Sequence, residues 1–137
     1  MRYRRLDYRY TMIRFGTWPL APMSWAQGIA SPYPEEARWR PDADMCETAR
    51  AIVVVVDLAG VGEDEVEIQL FDNALVVKGQ RSLPGCDASS VYHAVGVRQG
   101  PFRLELPLPA AVDAEAVEVR YERGLLRITL GKREGRS

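Results

Sequence analysis

At 137 residues, 47% hydrophobic and 27% charged, the chain has the size and composition of one ordinary soluble globular domain with a tail. Its net charge of −1 provides no electrostatic footprint for nucleic acid or an acidic membrane. No apolar run approaches the ~18 residues of a membrane span, and the start of the chain lacks an apolar core followed by a small-residue cleavage site, so the expected location is the cytoplasm.

Residues 1–38 differ in character from the rest. They hold Tyr3, Tyr8, Tyr10, Phe15, Trp18, Trp25 and Tyr33, with prolines from Pro19 to Pro34 that forbid a long helix. Tyr3, Leu6, Tyr10 and Ile13 sit at helical spacing, which would allow a short amphipathic helix before the prolines begin. A segment this aromatic is a poor solvated linker and needs a surface for its rings, whether on the domain, another subunit or a client. The expectation is a flexible, aromatic-rich N-terminal arm. All but two of the 18 basic residues are arginine, the exceptions being Lys78 and Lys132; a GC-rich genome explains that bias more simply than a binding face.

From Trp39 onward the pattern is β. Ile52 to Leu58 is a β-branched run closed by Ala59-Gly60. Val66, Ile68 and Leu70 alternate with Glu65, Glu67 and Gln69, placing the acids on a wet face; Asp72-Asn73 turns the chain into Ala74–Lys78. Residues 81–90 read as a loop and Tyr92 to Val97 as a weak strand. The stretch from Gly100 to Pro109 is the most regular in the chain, with Phe102, Leu104, Leu106 and Leu108 alternating with Arg103, Glu105 and Pro107. The other strands can be arranged around it, and Pro107 requires its far end to be an edge or to leave the sheet. Residues 113–116 look helical for about one turn. Val117, Val119 and Tyr121 then alternate with Glu118, Arg120 and Glu122, and Arg123-Gly124 turns into a strand sharing Leu126, Ile128 and Leu130 on one face. Seven or so short strands and no amphipathic helix after residue 40 predict an all-β sandwich.

The inventory for catalysis is thin. His93 is the single histidine, which rules out a multi-histidine metal site and leaves little for acid–base chemistry at neutral pH. The sequence has no GxxxxGK[ST] loop and no GxSxG elbow, and Gly60-Val61-Gly62 is followed by acids that would repel phosphate. Glu63, Asp64, Glu65 and Glu67 lack the spacing of a calcium loop. Cys46 and Cys86 form neither a disulfide framework nor a metal motif. The expectation is a protein that is not an enzyme, with no cofactor, no metal and no small-molecule substrate.

Seven segments in order resemble the small heat-shock protein family in the bacterial and plant style of its α-crystallin domain: Trp39–Glu47 (WRPDADMCE), Asp57–Val61 (DLAGV), Val66–Ile68 (VEI), Leu75–Gly79 (LVVKG), Gly100–Phe102 (GPF), Leu108-Pro109 and Gly124–Ile128 (GLLRI). The resemblance spans about 39–132 and divides the chain into the arm at 1–38, the domain at 39–132 and a short tail at 133–137. It implies an immunoglobulin-like β-sandwich and an ATP-independent holdase that binds non-native client proteins and prevents their aggregation. It further implies a dimer in which the loop around Tyr92 reaches the partner's first domain strand at Asp44, Met45 and Cys46. An edge groove formed by Ile68, Leu70, Val117, Val119 and Tyr121 is implied to accept an apolar-x-apolar motif from another subunit's C-terminus, building higher oligomers. Residues 131–137 contain no such motif, and Ile13-Arg14-Phe15 could substitute for it. The family often has arginine two places after the phenylalanine; here that position is Leu104, so a dimer ion pair at that point is not expected. Client contacts are assigned to the arm residues Tyr3, Tyr8, Tyr10, Ile13, Phe15, Trp18 and Trp25. A second reading on the same scaffold is an assembly adaptor or co-chaperone serving one specific partner.

Overall fold

Two four-stranded antiparallel sheets, packed face to face, account for nearly all of the regular structure in the computed structural model, which describes residues 11–13 and 38–134. The strands are β1 (Thr11–Ile13), β2 (Ala43–Glu47), β3 (Ala51–Asp57), β4 (Val66–Leu70), β5 (Ala74–Arg81), β6 (Gly100–Pro107), β7 (Val112–Glu122) and β8 (Leu125–Lys132). The first sheet runs β1-β4-β5-β6 and the second β2-β3-β8-β7.

The period-two patterns explain the packing. Ile52, Val54 and Val56 of β3 face inward opposite Leu130, Ile128 and Leu126 of β8, all of them fully buried. Against them the first sheet sets Ile68, Leu75, Val77, Phe102 and Leu104, joined in the same core by Leu58 and Val112. Each such side chain stabilises the fold by roughly 1.5–3 kcal/mol relative to exposure. Gly79 stands opposite Phe102 in the ladder because that ring fills the space a side chain would need.

Four expectations need correction. β6 is not central; it ends the first sheet, and beyond it lies only the single parallel bridge of Trp39 to Phe102, with Trp39 N–H donating to the Pro101 carbonyl (3.1 Å) and Arg103 N–H to the Trp39 carbonyl (3.0 Å). The strand does stop at Pro107, opposite Ala74, the first residue of β5. Residues 113–116 are not helical but belong to β7, within a register shift between Val112 and Val117. Such a bulge places extra residues of one strand against fewer of its neighbour. Tyr92–Val97 forms no strand, since no other strand among the described residues lies beside it. Ile13 lies in a strand rather than a helix; residues 1–10 fall outside the described residues.

Glu67 and Gln69 depart from the wet-face expectation too, being only 4% and 5% exposed. The Gln69 amide donates to a Glu67 carboxylate oxygen at 2.6 Å, and Lys78 stands opposite Glu67 on β5. Burial lowers the Lys78 pKa, Glu67 opposes that shift, and Arg103 and Arg38 add to it.

Replacing Gly79 by alanine should expose the tightness of this arrangement. The new Cβ would overlap the Glu65 carbonyl oxygen and approach the Phe102 ring to 2.8 Å. The expected loss is about 1–3 kcal/mol, read as a lowered midpoint in urea; an unchanged midpoint would contradict the packing.

Candidate functional site

No catalytic constellation assembles from the described residues. His93 is exposed in the loop at 82–99, and no group of three or more His, Cys, Asp or Glu side chains is placed to hold a metal ion. A concavity of about 590 Å³ on the outer face of the second sheet is lined by Val55, Glu118, Arg120, Glu122, Arg127 and Thr129, among others. It mixes charges of both signs, Arg120 being paired with Glu118 at 3.4 Å, and holds no nucleophile–base pair. No helix among the described residues is long and apolar enough to cross a membrane.

The surfaces able to act are edges and one loop. At the open end of the first sheet, β1 lies antiparallel to β4, with Ile13 opposite Ile68 and Thr11 opposite Leu70. Ile68 and Leu70 are buried, while Ile13, Val117, Val119 and Tyr121 are half-buried against the same core. The residues of the expected groove thus belong to or pack on one core, and β4 is paired with a segment of the chain's own N-terminal part. Arg14 and Phe15 lie outside the described residues, as do Tyr3, Tyr8, Tyr10, Trp18 and Trp25.

Tyr121 closes this end of the sandwich. Its hydroxyl lies 2.6 Å from both the Leu58 and the Val61 carbonyl oxygens, so its one proton is shared between two acceptors on the turn after β3. Burial raises its pKa above the ordinary value.

At the other end, β2 is an edge strand of the second sheet, with Asp44 and Cys46 exposed and Met45 half-buried. The loop at 82–99 is exposed through almost its whole length. It carries Val91, Tyr92, Val95 and Val97 at 75%, 59%, 78% and 63% exposure, four large apolar side chains within seven residues. Loops of this length without secondary structure are uncommon in compact domains and are usually functional, and so concentrated an apolar strip signals an interaction surface. Of this strip the sequence singles out Tyr92; Val95 and Val97 fall in the expected weak strand, and Val91 lies outside it. Leu104 points into the core and Arg103 pairs with Glu105 of its own strand at 2.6 Å.

Residues 44–137 match the Hsp20/alpha crystallin family. The chain belongs to that family. It is 38% identical over 92 residues to a 16.9 kDa class I heat shock protein of Triticum aestivum, covering 66% of this chain and 61% of that one. It is 30% identical over 94 residues to small heat shock protein C2 of Rickettsia felis, covering 69% and 61%. The match thus spans about three-fifths of the length of these relatives. Among solved structures, heat shock protein 16.0 of Schizosaccharomyces pombe superposes with a TM-score of 0.65 at 25% identity, over 73% of this chain and 93% of that one. A small heat-shock protein of Xylella fastidiosa does so with 0.64 at 26%, over 73% and 92%. The sandwich is therefore the α-crystallin β-sandwich of this family.

The Tyr121 hydroxyl sets a pH dependence. A tyrosine whose folded pKa is raised holds its proton more tightly when folded, so its contribution to stability falls as pH rises through the unfolded value of about 10. Tyr121→Phe should lower stability at pH 7 by about 0.5–1.5 kcal/mol and flatten that alkaline decline. A decline of equal steepness in both proteins would place its origin elsewhere.

Proposed function

We propose that this Hsp20/alpha crystallin chain is an ATP-independent chaperone of the holdase type, acting in the cytoplasm, that binds non-native proteins through apolar surface and unpaired strand edges. The observation that carries this reading is the pairing of a family sandwich with an exposed apolar strip at Val91–Val97 and an edge at β2 that has no outer neighbour among the described residues. Extended non-native chains can add to such an edge by main-chain hydrogen bonds, with alternate side chains entering apolar pockets. The sequence carries no P-loop, in keeping with action without nucleotide. The arm residues Tyr3, Tyr8, Phe15, Trp18 and Trp25 supply further aromatic contact area, which suits diverse partners because it binds without fixed geometry.

Self-association is part of the proposal. The strip around Tyr92 would pair with β2 of a second copy, at Asp44, Met45 and Cys46, to form a dimer. Ile13 would act as the chain's own occupant of the groove that the resemblance assigns to an apolar-x-apolar motif, which makes β1 a plug on β4.

The decisive assay is suppression of aggregation of two unrelated clients without nucleotide. The wild type should protect both, and serine at Tyr3, Tyr8, Phe15, Trp18 and Trp25 together should remove most of the protection while the sandwich stays folded. Stoichiometric binding of one partner with no general protection would identify an adaptor instead. Undiminished protection by the serine variant would sink the assignment of clients to the arm.

The plug is tested by Ile13→Asp, because a charge cannot remain against the core that Ile13 touches. The variant should bind a short Ile-x-Ile peptide at least tenfold more tightly than the wild type, measured by titration calorimetry. Equal affinities would mean that β1 does not control the groove.

A further inference from the structure

The loop at 82–99 leaves and rejoins the first sheet through a narrow neck, and one side chain spans it. Arg81, the last residue of β5, donates from Nε and Nη2 to the carbonyl of Arg98 at 2.9 and 2.6 Å. Its Nη1 donates to the Ala59 carbonyl at 3.0 Å, on the turn following β3. The guanidinium carbon sits 4.4 Å from the centre of the Trp39 ring. Trp39 is itself fixed, its indole N–H donating to the Gly100 carbonyl at 3.1 Å and its ring tilted against Phe102 at 5.4 Å. A second, weaker stitch runs from Leu83 N–H to the Gln99 side chain at 3.3 Å. Beyond the neck, the described hydrogen bonds are those of the Asp87–Ser90 turn.

Three of the guanidinium's five donors thus reach backbone carbonyls from two separate segments, while its face lies on an indole. This combination requires a planar fork; a lysine ammonium could reach one carbonyl but not hold two segments and stack at once. The arrangement goes beyond tidying a strand end. The neck fixes where residues 91–97 leave the sandwich, yet those residues remain uncovered, with Val95 the most exposed of the large apolar side chains. An apolar strip held in one direction before a partner arrives pays less ordering cost on association than one that must first be found among many loop positions.

We propose that Arg81 is the positioning residue of the subunit interface: its clamp on Arg98, Ala59 and Trp39 presents Val91, Tyr92, Val95 and Val97 in the orientation that meets β2 of a second copy. This rests on the dimer proposed above, in which the loop and β2 are the two halves of the contact. Arg81 does not itself touch the partner; it acts through the loop it holds.

The test uses the full-length chain with Arg81→Ala, Arg81→Lys and Val95→Asp, following the dimer dissociation constant by dilution in sedimentation velocity, hydrogen exchange across 82–99, and the urea midpoint. Arg81→Ala should speed exchange at Leu83 and across 98–100, and weaken the dimer at least tenfold. The urea midpoint should stay close to that of the wild type. Arg81→Lys should restore little of either, because it cannot fork. A dimer constant within twofold of the wild type, or a weakening matched by equal loss of sandwich stability, would overturn the positioning role. Val95→Asp distinguishes this failure from that of the dimer reading, since its side chain lies on the strip and away from the clamp. If Val95→Asp weakens the dimer and Arg81→Ala does not, the clamp alone is wrong. If Val95→Asp leaves the dimer intact, the loop is not the interface and the positioning role falls with it.

Discussion

An open sandwich cannot satisfy its own edges, and this constraint governs the molecule. Among the described residues, each sheet ends in strands with no full ladder partner on their outer side, and unpaired edges recruit other chains. The four edges are treated differently. Trp39 adds a one-residue parallel bridge beyond β6, and Pro107 ends that strand. β7 is interrupted by the register shift between Val112 and Val117, which breaks the flat template another chain would need. β1 lies along β4, and β2 is left bare. The interaction chemistry proposed for this chain is thus assigned to the edges that its own structure covers least.

A second dependence runs through aromatic packing at the β6 end. Phe102 presses on Gly79, Trp39 tilts on Phe102, and Arg81 stacks on Trp39. Core, edge and loop neck are therefore one connected stack. The glycine at the centre of a strand, normally a weakness, is what lets the ring sit close enough to the sheet for the rest to follow. Tyr121 does the equivalent work for β7, tying it through two carbonyls to the same turn after β3 that Arg81 reaches at Ala59.

Much of this was legible in the sequence where a single physical rule dominated. Strict alternation in Val66–Leu70, Phe102–Leu106 and Leu126–Leu130 identifies inward faces, because a one-residue slip would turn every apolar side chain to water, and the β-branched run Ile52–Val56 marks a buried strand without alternating. Sheet order was not legible. The regularity of Gly100–Pro109 suggested a central strand, yet alternation reports a buried face and says nothing of whether both edges are paired. Tyr92–Val97 misled for the complementary reason: β-branched residues favour a strand, but a strand needs a neighbour that this loop lacks among the described residues. Glu67 and Gln69 are buried on a face that period-two reasoning assigns to solvent, the Gln69 amide bonding one oxygen of the Glu67 carboxylate. The Arg81 clamp joins residues 17, 22 and 42 positions apart along the chain, a convergence visible only after folding.

The energetics of β1 bear on how such a protein could remain responsive. Three residues of ladder and one half-buried isoleucine give a small gross stabilisation, since a fully buried apolar side chain contributes roughly 1.5–3 kcal/mol and a net hydrogen bond about 1 kcal/mol. Ordering each of those residues costs about 1–2 kcal/mol of backbone entropy. The two sides nearly cancel, so β1 sits close to balance between bound and released. By contrast β4 is held through five register pairs to β5 with its inner side chains wholly buried, and stays in place when β1 leaves. The fold thus combines a stable edge with a marginal cover. On the function proposed for this chain, that division would let exposure of the β4 edge respond to modest changes in temperature or partner concentration while the core stays intact.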